Sequence, residues 1–242
     1  MAVAYNATSS NGSDTAGQTS ISTTHTAAGS DRAVVVGLSF RRQTSDVTDI
    51  TVTYDGAAMT QIGTIIGPGT NVSAVALFGL LNPSTTAGAT VAAAWTNGQS
   101  WTEIGVVSFT GAGSFGTPVT QVSGSSSTPS VTIVCTANDM VIDTLATSGG
   151  SPNSAAGGQT ERWERVATTA FLGAGQTAAG GVSVAMSWTL GAADQTNLMG
   201  VAVVAVASGP ANLKSLDTNV KANIKSYNTN VLANIKSIDT NA

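Results

Sequence analysis

Apolar and polar residues alternate along most of this chain in short runs, and clusters of Gly, Asn, Ser and Pro separate the runs. Ile50-Thr-Val-Thr-Tyr54 has period two and ends at Asp55-Gly56, a dipeptide that tolerates the positive φ values of a two-residue hairpin turn. Met59 to Ile66 is therefore expected to return as its partner strand. Ala33 to Phe40 is a continuous apolar and β-branched run, and further strand patterns cover 72–81, 89–95, 101–110, 119–123, 130–136, 140–146, 160–167, 171–176, 182–189 and 198–207. No stretch before residue 209 holds an amphipathic helical period. The pattern predicts a mainly β head over residues 1–208, an antiparallel sandwich of jelly-roll-like type with about twelve strands in one domain. Two smaller stacked sandwiches that divide near Gly111 to Pro118 are the alternative.

Beyond residue 208 the period changes. Residues 209–211 form a hinge at Gly209-Pro210, after which neither Gly nor Pro recurs. Repeats of an eleven-residue unit then begin at Asn212, Asn223 and Asn234. The apolar positions Leu213, Leu216, Val220, Ile224, Tyr227, Val231, Ile235 and Ile238 follow a three-four-four spacing, about 3.67 residues per turn, which predicts a slightly right-handed supercoil. The seam is narrow, as helix-to-helix association requires, and Asn219, Asn223, Asn230 and Asn234 flank it with amides that both donate and accept. Asn, Thr, Ser and Asp each cost a helix roughly 0.5 kcal/mol relative to Ala, so the segment is expected to fold only on association. Residues 212–242 are predicted to be an α-helical coiled-coil stalk that makes a homotrimer, with a tetramer as the next state. A disordered polar tail and a helix packed on its own β domain are the competing readings.

Composition narrows the functional classes. Only 9% of residues are Asp, Glu, Lys or Arg, against roughly 25% in ordinary globular proteins, and Ser, Thr, Asn, Gln, Gly and Ala replace them. Such a surface suits a protein packed against neighbours. Residues 1–208 hold five Arg, no Lys and eleven acids, whereas residues 209–242 hold four Lys, no Arg and two Asp, so a net charge of −6 gives way to +2. The overall charge of −4 lacks the basic footprint that nucleic acid requires. No apolar run is long enough to span a bilayer, and the N-terminus has no export-signal pattern, which predicts a protein made in a host cytoplasm. The sequons at Asn6, Asn11 and Asn71 are then expected to stay unmodified.

Candidate chemistry is sparse, and no cofactor or metal is predicted. His25 is the single histidine and is expected on a strand surface; Cys135 alternates with Val131 and Ile133 as a core thiol. Glu161-Arg-Trp-Glu-Arg165 would place Glu161 and Glu164 on opposite faces of a strand, unsuited to paired-acid catalysis but suited to blunting an edge. Trp95, Trp101, Trp163 and Trp188 fit a core better than a sugar-stacking platform, and Asp46, Asp49 and Asp55 lack the spacing of a known calcium loop. We therefore expect no enzyme.

Asp31-Arg-Ala-Val-Val-Val-Gly-Leu-Ser-Phe40, Ile50 to Gly63, Ala76 to Trp95 and Val106 to Ala112 resemble a β-sandwich domain of uncharacterised bacterial and bacteriophage proteins. The C-terminal Asn-Ile-Lys-Ser-x-Asx-Thr-Asn copies resemble repeats in phage structural proteins. The resemblance implies a non-enzymatic virion component, a capsid decoration, head fibre or tail-associated fibre, whose partners are itself and other capsid or tail proteins. It assigns no functional residue. A carbohydrate-binding, receptor-recognising module or surface adhesin, with a cell-surface glycan as partner, is the alternative.

Overall fold

The computed structural model describes residues 1–41, 46–66, 73–149, 153–167 and 171–207. The predicted stalk and its seam lie outside the described residues. Within the N-terminal half the strands are β1 (Ala4–Ser13), β2 (Gln18–His25), β3 (Ala33–Arg41), β4 (Thr48–Tyr54), β5 (Ala57–Ala58), β6 (Thr60–Ile66), β7 (Ser73–Leu81), β8 (Ala89–Gln99) and β9 (Trp101–Thr110). The C-terminal half adds β10 (Ala112–Phe115), β11 (Val119–Ser126), β12 (Ser130–Val134), β13 (Met140–Thr147), β14 (Asn153–Ala155), β15 (Gln159–Ala167), β16 (Phe171–Ala179), β17 (Ser183–Leu190) and β18 (Asp194–Ala205). Every strand pairing is antiparallel.

The strands make four layers. Layer 1 has the order β2-β8-β4-β5 and layer 2 the order β1-β9-β3-β7-β6. Layer 3 runs β10-β18-β13-β16-β15 with β11 also beside β18, and layer 4 runs β12-β17-β14. The chain passes repeatedly between the two layers of each half, although β4-β5, β6-β7, β10-β11 and β15-β16 each stay within one sheet. The architecture is two stacked sandwiches within one compact unit, Met1–Ala207, and it holds eighteen strands among the described residues where strand spacing suggests about twelve. The alternative division near Gly111 to Pro118 coincides with the passage from β9 to β11.

Three cores hold the stack. Ile21, Val52, Tyr54 and Trp95 of layer 1 pack on Val36, Leu38, Phe40 and Val106 of layer 2. Val131, Ile133, Met186 and Trp188 of layer 4 pack on Val141, Leu145, Leu172 and Leu198 of layer 3. Between the halves, Val35, Leu77, Val107 and Phe109 meet Ile142, Phe171, Met199 and Val201. Because β3 contributes to two cores, eight of its nine residues are buried, which explains why its sequence is continuous and not alternating. Each fully buried aliphatic or aromatic side chain contributes about 1.5–3 kcal/mol.

Local sequence explains the turns and the departures. Asp55 and Gly56 adopt φ of 50° and 80° and join β4 to β5 as a tight hairpin. Ala57 and Ala58 pair with β4 and the Met59 amide donates to the Val52 carbonyl at 2.9 Å; the chain then crosses to layer 2, where β6 pairs with β7. The expected partner strand over Met59 to Ile66 is thus corrected: pairing with β4 ends at Met59, and Thr60–Ile66 pairs with β7 of the neighbouring sheet. β1 and β2 were not evident as strands because Ser, Thr and Asn dominate them. Those polar groups have partners: Asn11 donates to the Ser22 carbonyl at 2.7 Å, and Asn6 Oδ1 accepts from Ser108 Oγ at 2.9 Å. Replacing Gly56 with Val forces a β-branched residue to positive φ and is expected to destabilise the protein by about 1–2 kcal/mol, read from the urea midpoint. An unchanged midpoint would contradict this turn.

Candidate functional site

Three of the four tryptophans are core residues. Trp95 donates from Nε1 to the Gln18 carbonyl at 2.9 Å and meets the Phe40 ring edge-on, and Trp188 donates to Asp143 Oδ2 at 3.2 Å. Trp163 reaches from the edge strand β15 into the space between layers 2 and 3, where Gly37, Gly105 and Gly175 leave room for its indole. Trp101 is half-buried, with the Arg41 guanidinium 4.9 Å from its ring centre. The four do not make an exposed sugar platform.

His25 is buried, contrary to the surface position expected from its Ser/Thr-rich surroundings. Ile21 and His25 lie four residues apart on the inward face of β2, so the strand period carries the imidazole inside. Nδ1 is 3.0 Å from Ser9 Oγ, the Tyr54 ring stands edge-on at 6.4 Å, and Nε2 has no hydrogen-bond partner among the described residues. Burial lowers its pKa to about 4. A Ser-His contact is therefore present without a carboxylate to orient it, and its imidazole is a weak base. Cys135 occupies the expected core position beside Val131 and Ile133.

The acids divide between burial and the edge. Asp143 is fully enclosed and accepts from the Gln176 backbone at 3.2 Å, from Gln176 Nε2 at 2.9 Å and from Trp188. Desolvation raises its pKa to about 7, against the opposing pull of those donors. Glu103 is buried between layers 2 and 3, Gly173 passes close to its Oε2, and desolvation holds its carboxyl well above the usual range despite the nearby Arg165. On β15 a bulge between Glu161 and Trp163 corrects the predicted alternation. Glu161 and Glu164 share the exposed side, and burial together with Glu161 raises the Glu164 pKa. Arg162 lies over the Tyr5 ring at 3.6 Å, and Arg165 pairs with Asp14 at 2.9 Å. β15 ends its sheet, so these groups border an edge, as the charge pattern suggested.

The outward surfaces are chemically simple. On layer 1, Ser20 and Ser22 of β2 stand beside Ala94 and Ala92 of β8, which stand beside Thr51 and Thr53 of β4. These residues, with Asn11, Ser13 and Gln18, line an open trough of about 630 Å³ that contains no ionisable side chain. Layer 4 repeats the theme: Ser130 and Thr132 of β12 stand beside Ser187 and Ala185 of β17. A surface of hydroxyls, amides and methyls can accept and donate hydrogen bonds to a neutral partner. It offers little to a charged one.

Among the described residues no three His, Cys, Asp or Glu side chains converge on a metal-sized site. Asp55 supports its turn and accepts from Ser84 Oγ at 2.6 Å. No family model, curated protein or solved structure matches the chain.

Among the buried titrating groups, His25 acts on stability with one sign and Asp143 and Glu103 with the other. His25 stays neutral in the fold down to about pH 4 but protonates near 6.5 when unfolded, so its contribution is complete above 6.5 and is lost as pH falls toward 4. Asp143 titrates near 7 in the fold against 3.8 unfolded, so its contribution is complete below 3.8 and is lost as pH rises toward 7. Relative to the parent protein, urea midpoints between pH 4 and 6.5 are expected to fall more steeply with rising pH in His25→Phe and less steeply in Asp143→Asn, where Glu103 still acts. Parallel profiles in the two variants would contradict the assignment.

Proposed function

We propose that the protein is a non-enzymatic, self-associating structural component of a bacteriophage virion, either a capsid decoration, a head fibre or a tail-associated fibre. The observation that carries this reading is the nature of the two outer sheets. Apart from Asp49 at the start of β4, the strands of layers 1 and 4 carry no outward charge: they present mainly Ser, Thr and Ala, with Asn97 of β8 and the exposed Val134 of β12. Copies can therefore approach one another without electrostatic repulsion, at modest desolvation cost per hydroxyl. The eleven-residue repeat of residues 212–242, with its seam from Leu213 to Ile238, supplies a means of joining three copies in parallel. The phage setting rests on the sequence resemblance of the head segments and of the repeat.

The open trough on layer 1 supports a second reading, in which the head holds a neutral cell-surface glycan through Asn11, Gln18 and the neighbouring hydroxyls while the stalk supplies avidity. The buried tryptophans remove the stacking contacts such modules commonly use, so the structural reading is preferred. Light scattering on the full chain is expected to give a trimer mass, and a chain ending at Ala207 a monomer mass. Equal masses for the two would overturn stalk-driven assembly. Mass spectrometry of purified virions from the source is expected to detect the protein in stoichiometric amounts, and binding on a glycan array would favour the second reading.

A further inference from the structure

Layers 2 and 3 follow one plan. β3 lies between β9 and β7 as β13 lies between β18 and β16, and β6 borders β7 as β15 borders β16. Layers 1 and 4 correspond in the same way, with β2-β8-β4 matching β12-β17-β14. The agreement reaches single residues. Bulges fall between Gln61 and Gly63 on β6 and between Glu161 and Trp163 on β15, and the residue after each bulge faces Leu77 or Gly175 respectively. Val91-Ala-Ala-Ala-Trp95 and Val184-Ala-Met-Ser-Trp188 occupy corresponding strands, each ending in a buried tryptophan. His25-Thr-Ala and Cys135-Thr-Ala close the corresponding strands β2 and β12.

Register then identifies counterparts at the surface where the halves meet. Across layer 2 the row is Gly63, Leu77, Gly37, Gly105. Across layer 3 the same row is Trp163, Gly175, Thr144, Met199. The contacts across the interface are reciprocal under this correspondence. Trp163 fills the space over Gly105, and the counterpart of that contact is Met199 against Gly63, where an added Cβ would meet Sδ at 3.0 Å. Gly37 faces Thr144, its own counterpart, with an added Cβ meeting that side chain at 3.0 Å. A third pair differs: Phe115 fills the space over Gly79, whereas between their counterparts Tyr5 and Thr177 stands Arg162, which lies over the Tyr5 ring and donates to Thr177 Oγ1 at 2.7 Å.

We infer that the head is two copies of one unit, and that the face between layers 2 and 3 is a pairing surface for a second copy of that unit, keyed by exchange of small and large side chains. Two N-terminal halves paired the same way would set Gly63 against Gly105 and Gly37 against Gly37, leaving voids. Two C-terminal halves would set Trp163 against Met199 and Thr144 against Thr144, in overlap. Voids and overlaps are both costly at interior packing density, so unlike halves are selected over like ones. The pairing surface binds one chemistry, the complementary half, and leaves no vacancy for a half from another copy.

The test uses the full chain and its thermal midpoint. Trp163→Gly with Met199→Gly gives both halves holes, and Gly63→Trp with Gly105→Met gives both halves knobs. Each double variant is expected to lose on the order of 10 °C or fail to fold. All four substitutions together with Leu77→Gly, Gly175→Leu, Gly37→Thr and Thr144→Gly, which carry across the room the indole needs, exchange the whole row and are expected to recover more than half of the larger loss. An eightfold variant no more stable than the worse double variant, or unfolded, would overturn the inference.

Discussion

Layers 2 and 3 pack against each other while each also packs against an outer sheet, so neither has a face left for water. From this constraint the central strands take their composition. Ala33 to Phe40 needs apolar residues on both sides, and glycine appears where a large side chain from the facing sheet must enter. Trp163 is the largest such intruder. It arrives from an edge strand, and the bulge before it turns Arg162 toward Tyr5 while leaving Glu161 and Glu164 in solvent.

The same constraint governs the polar groups. Ser39 inside the interface donates to the Leu145 carbonyl at 2.9 Å, and Asn197 donates to the Ser73 carbonyl at 2.7 Å, so the halves are tied by hydrogen bonds as well as by dispersion. Glu103 is the exception, a carboxyl whose pKa enclosure holds well above the usual range despite the nearby Arg165. In the C-terminal core Asp143, Gln176 and Trp188 form a polar cluster where the matching N-terminal core holds Val36, Phe78 and Trp95. The fold therefore does not require the cluster. Charge stays near the edges and turns, and the two outermost faces keep only hydroxyls, amides and methyls.

Much of the strand pattern is legible in the sequence because burial on one face imposes alternation, as at Ile50 to Tyr54, and burial on both imposes a run, as at Ala33 to Phe40. The Asp55-Gly56 turn is legible because its backbone demands those residues. β1 and β2 escape because their polar side chains satisfy neighbouring backbone groups, which periodicity does not register. The burial of His25 escapes for a related reason: its neighbours are polar, yet the inward face of β2 carries it inside. The bulge that brings Glu161 and Glu164 together adds one residue to a strand, and no residue type announces it. The internal correspondence survives in sequence only at points such as Trp95 with Trp188, because packing preserves volume and register more than identity. Of the candidate assembly residues, the seam from Leu213 to Ile238 is a sequence expectation outside the described residues.

The two sandwiches are one cooperative body because their inner sheets have no other cover. Native-state hydrogen exchange measures this directly, since amides that open together share one free energy. The account predicts that the slowest amides of β3, β9, β13 and β18 exchange with a single common opening free energy. Two separate values, one for β3 and β9 and another for β13 and β18, would contradict it.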